Sequence, residues 1–482
     1  MSVINILSEM YVETFGAEPV SVVRLPGAGG DRIYYRLQGS DSKSAIGVDC
    51  DVERDGRAFV GLARAFGEAG IGVPRVYLAA SDFSAYLQED LCDLQLFSLI
   101  ERRRKEKSEE TGMIAQEYVE KSLRELAKMQ TLPTDIYRQH LAYPDFSARQ
   151  AKYDLNYFKY EFVKPLGLPF DEEALEDDFE RLAGRLVSTG RDRWGFMYRD
   201  FQSRNVMISD SHVRFIDFQG GRMGPSIYDA VSFLWQAKAG FSPEFRTRML
   251  HVYADAYSEA RGGKVAAADL LEDLDMFVLF RTLQVLGAYG FRGLVEKRAH
   301  FIESIPGALA NLSQLLEKGA LNDYPELKET CVKILADGRF EPDGHEGLQI
   351  KVFSFSYKKG YPADFTGNGG GFMFDCRGMH NPGRYDEYKQ LTGLDQSVIS
   401  FLEEKGEVGP FCDKAVEIVA PSVARYLQRG FSDLQVGFGC TGGRHRSVYC
   451  AERTARLLKE RFPEAIVRVI HREHSIDKVL KE

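Results

Sequence analysis

Residues 198–205 read Tyr-Arg-Asp-Phe-Gln-Ser-Arg-Asn, and residues 214–220 read Arg-Phe-Ile-Asp-Phe-Gln-Gly. Two short apolar runs, at 206–208 and 213–216, are separated by the polar turn Ser-Asp-Ser-His, which predicts a β-hairpin. A loop that begins at Asp200 returns within five residues, so Asn205 lies on the same side of it. The hairpin then brings Asp217 back to the mouth of this loop. The stretch therefore predicts two carboxylates and one amide around a single point.

This combination is typical of kinase-type phosphotransferases. In that arrangement Asp200 orients or deprotonates the accepting hydroxyl, whereas Asn205 and Asp217 hold Mg²⁺ beside the terminal phosphate of ATP. A lone Asp-x4-Asn is common by chance, but an apolar hairpin ending in Asp-Phe-Gln-Gly makes the pattern specific. A further aspartate, Asp229, stands at the head of a predicted helix and is expected to brace the loop by hydrogen bonds.

The composition indicates two or three globular domains. The chain has 482 residues, of which 44% are hydrophobic, enough for substantial cores. Seven cysteines, an odd number without metal-type pairs, argue against a disulfide framework and favour a reducing compartment. The N-terminal residues lack the features of a signal peptide, and no apolar run approaches the ~20 residues that span a bilayer. We therefore expect a cytoplasmic protein with no membrane partner.

The charge distribution argues against a general nucleic-acid binder. The chain carries 62 basic and 71 acidic side chains, for a net charge of −9. The acidic excess lies before residue 348, and residues 348–482 are mildly basic. Anionic small molecules suit such a surface as well as RNA does. RNA is therefore a partner that the composition permits and does not favour.

The order of strand-like and helical patterns predicts an α+β bilobal domain at 1–336. Short β-type runs dominate its small lobe at 1–90, whereas apolar residues recur at helical spacing through the large lobe at 91–336. Glycine, proline and charge accumulate at 337–347, which predicts a linker. Residues 348–482 then alternate buried-type strands with helices, as expected of a smaller α/β domain with an open sheet.

Several segments resemble the aminoglycoside phosphotransferase and choline kinase superfamily. They are the stretch at 198–205, Ile-Asp-Phe-Gln-Gly at 216–220, Gly-Pro-Ser-Ile-Tyr-Asp at 224–229 and Arg-Thr-Leu-Gln-Val-Leu-Gly at 281–287. The resemblance covers about residues 10–320 and is closest to the AmgK-type N-acetylmuramate and N-acetylglucosamine anomeric kinases. It implies a protein-kinase-like fold, ATP and Mg²⁺ as cofactors, and transfer to the anomeric hydroxyl of an N-acetylhexosamine.

The nucleotide site is predicted around a glycine-rich turn at 26–32, where backbone amides can approach phosphates. Two departures from the family pattern matter. Tyr198 replaces the usual histidine and does not take up charge near neutral pH. The strand at 45–50 contains no phosphate-binding lysine, so arginine is expected to take that contact. The predicted nucleotide-binding residues are Gly27, Gly29, Gly30, Arg32, Arg36 and Glu89.

The residues that bind the acceptor are harder to identify from the sequence. Residues 153–161 alternate aromatic and polar side chains on one predicted helix, a mixture suited to sugar faces and hydroxyls. An amphipathic helix with buried rings explains the same pattern equally well. The predicted sugar-binding residues, some of them from a later helix, are Asp154, Tyr157, Arg281 and Tyr289.

The C-terminal domain has an anion-binding pattern of its own. A strand-like run at 434–439 precedes the loop Cys-Thr-Gly-Gly-Arg-His-Arg-Ser at 440–447, and an amphipathic helix follows. Amides at a helix N-terminus bind anions. Basic residues follow three other strands, at 358–359, 377 and 471–472, and the strand ends are expected to meet. The predicted anion site comprises Arg377, His380, Cys440, Thr441, Gly442, Gly443, Arg444, His445, Arg446, Ser447, His471 and Arg472.

Two interpretations of this loop are open. It satisfies Cys-x5-Arg-Ser, the pattern of cysteine-dependent phosphatases, although no general-acid aspartate is identifiable by spacing. Segments 374–382, 391–396, 439–449 and 471–473 together resemble the RapZ-type C-terminal domain. That resemblance implies binding of an aminosugar phosphate or a nucleotide sugar and, in some members, RNA. The Walker-type nucleotide motif of that family's N-terminal domain is missing from the chain.

The leading hypothesis is an ATP-dependent N-acetylhexosamine kinase of cell-wall or amino-sugar recycling, whose C-terminal domain binds a phosphosugar or nucleotide sugar. One alternative is a regulatory or RNA-binding protein with an inactive kinase lobe. The other is a cysteine-dependent phosphosugar phosphatase in the C-terminal domain.

Overall fold

The chain forms two compact units. The computed structural model describes residues 2–26, 32–41, 43–106, 109–340, 347–362 and 371–480. The first unit comprises Met1–Phe291 and Ser304–Gly338, and the second comprises Arg292–Glu303 and Arg339–Glu482. The sequence did not indicate that Arg292–Glu303 groups with the second unit.

A five-stranded antiparallel sheet begins the first unit. Its strands are β1 (Ser21–Arg24), β2 (Ile33–Gln38), β3 (Ser44–Asp49), β4 (Val76–Ala79) and β5 (Ala85–Glu89), in the order β1-β2-β3-β5-β4. Helix α1 (Val3–Phe15) packs on the sheet through Leu7 and Tyr11. It can do so because Gly47 of β3 has no side chain: a Cβ there would lie 2.8 Å from Leu7 Cδ1.

Strands β4 and β5 are close together in the sequence and are separated by a short turn. Asp82 accepts hydrogen bonds from the Ser84 amide (3.1 Å) and hydroxyl (2.7 Å), and Phe83 adopts a positive φ of 58°. This local turn separates β4 from β5. A turn built on one aspartate side chain is not visible in hydrophobic periodicity.

The rest of the first part of the chain is mainly helical, as predicted. Its helices are α2 (Glu53–Glu68), α3 (Leu96–Glu106), α4 (Glu109–Thr131), α5 (Thr134–Tyr137), α6 (Ala148–Phe158), α7 (Lys164–Leu166), α8 (Glu172–Val187), α9 (Ile227–Leu234), α10 (Pro243–Ala260), α11 (Ala267–Leu271), α12 (Leu274–Tyr289), α13 (Ala299–Ile302), α14 (Ile305–Glu317) and α15 (Pro325–Ala336). Turns of π-helix follow α6 at Lys159–Val163 and α12 at Gly290–Val295.

Two small antiparallel strand pairs carry the polar loop of the first unit. Strand β6 (Trp194–Met197) pairs with β9 (Arg222–Pro225), and β7 (Val206–Ser209) pairs with β8 (His212–Phe215). The predicted hairpin is therefore confirmed. Its two turn residues, Asp210 and Ser211, have positive φ values of 49° and 64°, as a two-residue hairpin turn requires.

The second unit contains a five-stranded open sheet with α-helices, which confirms the predicted architecture. Its strands are β10 (Gln349–Ser356), β11 (Gly371–Asp375), β12 (Asp433–Cys440), β13 (Ile466–His471) and β14 (Ile476–Val479), in the order β11-β12-β10-β13-β14. Its helices include α16 (Gln396–Glu404), α17 (Val408–Arg429) and α18 (Arg446–Arg461). The strands are parallel except for β14, and β12 is buried along its whole length.

Among the residues that the structure describes, no helix has both the length and the apolar character needed to cross a bilayer.

Candidate functional site

A buried carboxylate fixes the loop that carries Asp200. Asp229, in the first turn of α9, accepts hydrogen bonds from the backbone amides of Tyr198 (2.7 Å) and Arg199 (3.0 Å) and from Gln130 Nε2 (2.8 Å). Arg199 has a positive φ of 78°, so the chain turns sharply just before Asp200. Complete burial raises the pKa of Asp229 to about 7, although these hydrogen bonds act in the opposite direction. The predicted bracing role of Asp229 is confirmed.

Asp200 and Asn205 meet inside this loop. The Asn205 amide donates to Asp200 Oδ2 (3.2 Å) and to the Asp200 carbonyl (2.9 Å), and Gln202 Nε2 donates to Asp200 Oδ2 (2.9 Å). Burial raises the pKa of the Asp200 carboxyl. The charge of Arg281 opposes this shift and that of Asp217 adds to it. A raised pKa suits a carboxylate that must take up a proton.

Asp217 lies beside this pair. The amide of the preceding residue, Ile216, donates to the Asn205 carbonyl (3.1 Å), which ties the two segments together. Asp217 has a positive φ of 69°, and its carboxylate accepts from Gln219 Nε2 (3.0 Å) and forms an ion pair with Arg32. Its side chain is 34% exposed, against 14% for Arg32. The structure therefore brings Asp200, Asn205 and Asp217 together.

A cavity of about 230 Å³ opens at Asp217. Its lining residues are Arg32, Cys50, Asp51, Val52, Asp55, Asp217 and Gln219. Arg32 is the only cation among these described lining residues. It adjoins the glycine-rich turn, but Gly27, Gly29 and Gly30 themselves lie outside the described residues.

The donor set fits Mg²⁺ bound together with a nucleotide. Carboxylate and amide oxygens are the ligands Mg²⁺ prefers, and it usually takes only one or two protein ligands, with phosphates and water completing the shell. Asn205 uses its amide nitrogen toward Asp200, which leaves its amide oxygen for a metal. Across the described ranges, no group of three or more His, Cys, Asp or Glu side chains is arranged to hold a metal alone.

Two predicted nucleotide contacts are engaged elsewhere. Arg36 forms ion pairs with Asp90 (2.8 Å) and Asp93 (2.8 Å). A strand advances about 3.3 Å per residue, so the Cα of Arg36 lies roughly 13 Å beyond that of Arg32 along the extended backbone, and Arg36 does not line the cavity. The structure thus does not bring Arg36 to the cavity at Asp217. Glu89 pairs with Arg214 (2.6 Å), so its carboxylate is also satisfied within the protein.

The predicted acceptor residues divide into two groups. Arg281 Nη1 donates to Gln284 Oε1 (2.7 Å) and to the Tyr228 hydroxyl (3.2 Å), and its charge acts on Asp200. Burial raises the pKa of Tyr289, whereas the nearby charge of Arg281 lowers it. Arg281 and Tyr289 are thus neighbours on the Asp200 side.

The other two acceptor candidates are engaged by protein groups. Asp154 is bound by Arg199 Nη1 (3.0 Å), one residue before Asp200 in the chain. Its charge therefore holds the loop rather than standing free for a sugar. The Tyr157 ring lies 6.2 Å from that of Phe291, centroid to centroid.

Sequence reasoning missed two glutamines that bind the carboxylates of Asp200 and Asp217. Gln202 and Gln219 each donate to the carboxylate two residues earlier, Asp200 and Asp217 respectively. The repeated tripeptide Asp-Phe-Gln was the available signal. Its second copy has a further feature, because Gln219 Oε1 is buried without a hydrogen-bond partner among the described residues.

In the second unit, parallel pairing places the carboxyl ends of β10, β11, β12 and β13 at one edge of the sheet. The predicted convergence of the four strand ends is confirmed. The loop at 440–447 begins there, and Gly443 adopts a positive φ of 65°. The Ser356 hydroxyl, at the end of β10, donates to the Thr441 carbonyl (2.8 Å) and fastens the loop to the sheet.

The basic side chains of the loop bind backbone carbonyls. Arg444 donates to the carbonyls of Gln390 (2.7 Å) and Leu391 (3.0 Å). His445 Nε2 contacts the Tyr388 carbonyl at 2.9 Å. Arg446 Nη1 donates to two further carbonyls, both at 2.9 Å. These groups hold the segments around the loop, and their anion-binding role stays a prediction.

Three other predicted anion ligands also have partners within the protein. Arg377 forms an ion pair with Asp375 (2.6 Å), and His380 pairs with Glu407 (2.9 Å). His471 is fully buried, with Nδ1 on the Ser354 hydroxyl (2.9 Å) and Nε2 on Glu452 (3.0 Å). Their anion-binding role stays a prediction.

Cys440 lies at the base of the loop. Its thiol is 3.1 Å from the Ser447 hydroxyl, and the residue is 3% exposed. Burial opposes ionisation, yet the Ser447 hydroxyl and amide, the Arg444 amide and the charge of Arg446 lower the pKa of the thiol. The loop amides therefore point inward at sulfur, as an anion would require.

Two further cations at this edge, Lys359 and Arg472, follow β10 and β13. Both contact Glu473, a residue that sequence reasoning left without a role. Its carboxylate also accepts a hydrogen bond from the Ser356 amide (3.2 Å). The available signal was its place in the His-Arg-Glu segment that follows β13.

Comparisons with known proteins match the two units separately. Residues 28–262 match the model of the phosphotransferase enzyme family, and residues 348–475 match the model of the RapZ C-terminal domain. A putative aminoglycoside phosphotransferase from Ralstonia eutropha JMP134 is 14% identical, covers 66% of this chain and 98% of its own, and superposes with a TM-score of 0.48.

Curated relatives match over shorter stretches. A nucleotide-binding protein of Thermotoga neapolitana is 39% identical over 114 residues, which is 24% of this chain and 39% of the relative. A nucleotide-binding protein of Lactobacillus acidophilus is 33% identical over 150 residues, or 31% of this chain and 47% of the relative. The chain thus spans less than half the length of these relatives.

Proposed function

We propose that this chain, which joins a domain of the phosphotransferase enzyme family to a RapZ C-terminal domain, is an ATP-dependent sugar kinase. The acceptor is an N-acetylhexosamine, N-acetylmuramate or N-acetylglucosamine, and the phosphorylated group is the anomeric hydroxyl. Such a reaction belongs to cell-wall or amino-sugar recycling. The observation that carries the proposal is the cluster of Asp200, Asn205 and Asp217 on one braced loop.

The geometry suggests a role for each of these side chains. Asp200 accepts the proton of the attacking hydroxyl, and Gln202 and Asn205 fix the orientation of its carboxylate. Asn205 and Asp217 hold Mg²⁺, which when bound neutralises phosphate charge. Arg32 supplies the cation at the mouth of the cavity in place of the missing lysine.

The position of Arg281 near Asp200 favours a polar acceptor. Its hydrogen-bond partners, Gln284 and Tyr228, are both neutral, and within the described residues it forms no ion pair with a carboxylate. A partly buried guanidinium with no carboxylate in direct contact is suited to the carbonyl or carboxylate oxygens of an N-acetylated or lactylated sugar. We assign Arg281 to acceptor binding.

The second unit binds the phosphate of a phosphosugar or nucleotide sugar at the strand-end edge. Lys359, Arg472 and the Ser356 amide are the donors directed to this edge. This site would sense the supply of phosphorylated amino sugars. Binding of a phosphosugar by the full chain, measured by calorimetry, would support the assignment.

The kinase assignment is tested with Asp200→Asn. We expect sugar-dependent ATP consumption to fall by about 10³-fold, because the carboxylate that takes up the proton is lost while its shape is kept. The matched control is Asp255→Asn, an exposed position on α10 that should keep full activity. Full activity in Asp200→Asn would refute the assignment. Absence of turnover in the wild type with every N-acetylhexosamine would instead favour the inactive-kinase alternative.

A further inference from the structure

The strand-end edge of the second unit already holds an anion of the protein itself. Glu473 Oε1 accepts from the Ser356 amide (3.2 Å) and from Arg472 Nη2 (2.8 Å), and its Oε2 lies 2.6 Å from Lys359 Nζ. Its side chain is only 8% exposed. One backbone amide, one ammonium and one guanidinium therefore converge on a single carboxylate.

The loop is shaped to admit this carboxylate. Gly443 adopts a positive φ of 65°, and a Cβ at that position would lie 2.5 Å from Glu473 Cγ and 2.9 Å from the Ser356 nitrogen. A glycine is thus required there both by the backbone conformation and by the passage of the Glu473 side chain. Glu473 lies between the loop and the end of β10.

The donors that hold Glu473 are those that a phosphate oxygen would use. Ammonium, guanidinium and backbone N–H groups form short, charge-assisted hydrogen bonds with phosphate as they do with carboxylate. Lys359 is 71% exposed and Arg472 28% exposed, so solvent reaches both cations. A phosphate that arrives at this edge meets donors already taken.

We propose that Glu473 is an internal competitor that occupies part of the phosphate site, and that a bound phosphate displaces its carboxylate. This inference rests on the proposed phosphate site of the second unit. Glu473 thereby sets the affinity of the site. The apparent affinity equals the intrinsic affinity multiplied by the fraction of molecules in which the carboxylate is out of the way.

A competitor of this kind has a specific signature. Its removal strengthens the binding of every anion that uses these donors, and by the same factor, because the cost of displacing it does not depend on the rest of the ligand. A residue that instead contacts the sugar would affect phosphosugars and leave inorganic phosphate unchanged. A residue that merely positions Lys359 and Arg472 would weaken binding when removed.

The experiment measures dissociation constants by calorimetry on the full chain, for inorganic phosphate and for a hexosamine 6-phosphate. We expect Glu473→Gln to tighten both by about tenfold and by the same factor, since the charge-assisted contacts of the Glu473 carboxylate with Lys359 and Arg472 no longer have to be broken. Glu473→Asp, with a side chain one methylene shorter, should show a smaller gain. The matched control Glu464→Gln, at an exposed position of the same unit, should leave both constants unchanged.

Each remaining outcome overturns the proposal. Unchanged or weaker binding of both ligands in Glu473→Gln would show that Glu473 does not compete with phosphate, provided that the variant unfolds at the temperature of the wild type. A change for the hexosamine 6-phosphate alone would make Glu473 a sugar contact. If neither wild type nor variant binds either ligand, the proposed phosphate site fails together with the inference, whereas the kinase assignment of the first unit is unaffected.

Discussion

The two candidate sites are closed by internal ion pairs of opposite polarity. In the first unit the cation Arg32 rests on Asp217, the carboxylate assigned to the metal. In the second unit the carboxylate Glu473 rests on Lys359 and Arg472, the cations assigned to phosphate. A poorly solvated charge is costly without a partner, and the little-exposed Arg32 and Glu473 are each paired within the protein. The sign of the internal partner indicates the sign of the ligand: a cation at Asp217 and an anion at the strand ends.

The sites also differ in what the polar residues predicted from the sequence contact. In the first unit the residues picked out by spacing are themselves grouped around one point, and glutamines orient their carboxylates. In the second unit Arg444 and Arg446 bind main-chain carbonyls and build the loop. The backbone amide of Ser356 and the side chains of Lys359 and Arg472, beyond the strand ends, bind the Glu473 carboxylate.

The largest effect should come from breaking the first site at its carboxylate. Asp217→Asn removes the negative charge that attracts Mg²⁺, and we expect sugar-dependent ATP consumption to fall by about 10³-fold. Titration of activity with Mg²⁺ should require higher concentrations in the variant. Phosphate binding by the second unit should be unchanged, which calorimetry checks. A variant with wild-type activity would remove Asp217 from the metal site.

The two units also differ in the pKa of a buried carboxylate, which predicts opposite effects of pH on stability. Burial acts to raise the pKa of Glu452, but its contacts with Lys478 (2.6 Å) and His471 outweigh burial and lower this pKa to about 2. Asp229 accepts hydrogen bonds only from amides, and burial raises its pKa to about 7. A depressed pKa adds stability above about pH 4.5 that is lost as the pH falls toward 2. A raised pKa makes the folded state bind more protons between about pH 4 and 7, so stability declines as the pH rises.

Denaturant unfolding at several pH values measures both contributions. Glu452→Gln should remove an acid-labile contribution of roughly 3 kcal/mol, the size of a shift of between two and three pKa units. Asp229→Asn should flatten the decline between about pH 4 and 7. An unchanged pH profile in either variant would contradict the corresponding assignment.

The Arg32–Asp217 ion pair can also be removed by changing the arginine. Arg32→Ala removes both a phosphate contact and the competitor for the metal, so two measurements should move in opposite directions. We expect the KM for ATP to rise by about tenfold, whereas Mn²⁺ alone should bind several-fold more tightly, in parallel with Glu473→Gln. Arg32→Lys should largely restore the KM. Weaker Mn²⁺ binding in Arg32→Ala would refute competition at Asp217.

The smallest effect is expected at Cys440. The residue is 3% exposed, and the guanidinium of Arg446 donates to the carbonyls of Arg377 and Met379. Cys440→Ser keeps the hydrogen-bonding group, so phosphosugar affinity should change by less than about twofold. Neither protein should hydrolyse a phosphosugar. Hydrolysis by the wild type that disappears in the variant would establish the phosphatase alternative instead.

Local sequence determined much of the framework that positions the sites. The hairpin between 206 and 216 follows from two apolar runs and a polar turn, and it carries Asp217 to Asn205. The edge at which the strands of the second unit end follows from buried strands alternating with helices. Each of these features depends on neighbours in the chain, which is why periodicity and spacing predict it.

Side-chain partners distant in sequence were not predictable. Arg36 and Arg446 carry the same group as Arg32 and Arg472, yet the first two bind protein acceptors far along the chain. Nothing in composition distinguishes them, because the outcome depends on which acceptors the fold brings near. The role of Glu473 likewise depends on the close approach of Gly443, thirty residues earlier.

In the proposed reaction the first unit phosphorylates an N-acetylhexosamine, and Asp200 takes up the proton of the hydroxyl. Phosphorus NMR of the full chain incubated with ATP, Mg²⁺ and N-acetylmuramate or N-acetylglucosamine tests it directly. With the wild type and with Asp255→Asn, we expect a new sugar 1-phosphate resonance that grows as ATP is consumed. With Asp200→Asn, we expect no such resonance. ATP consumption without any sugar phosphate, or an equal product signal from Asp200→Asn, would contradict it.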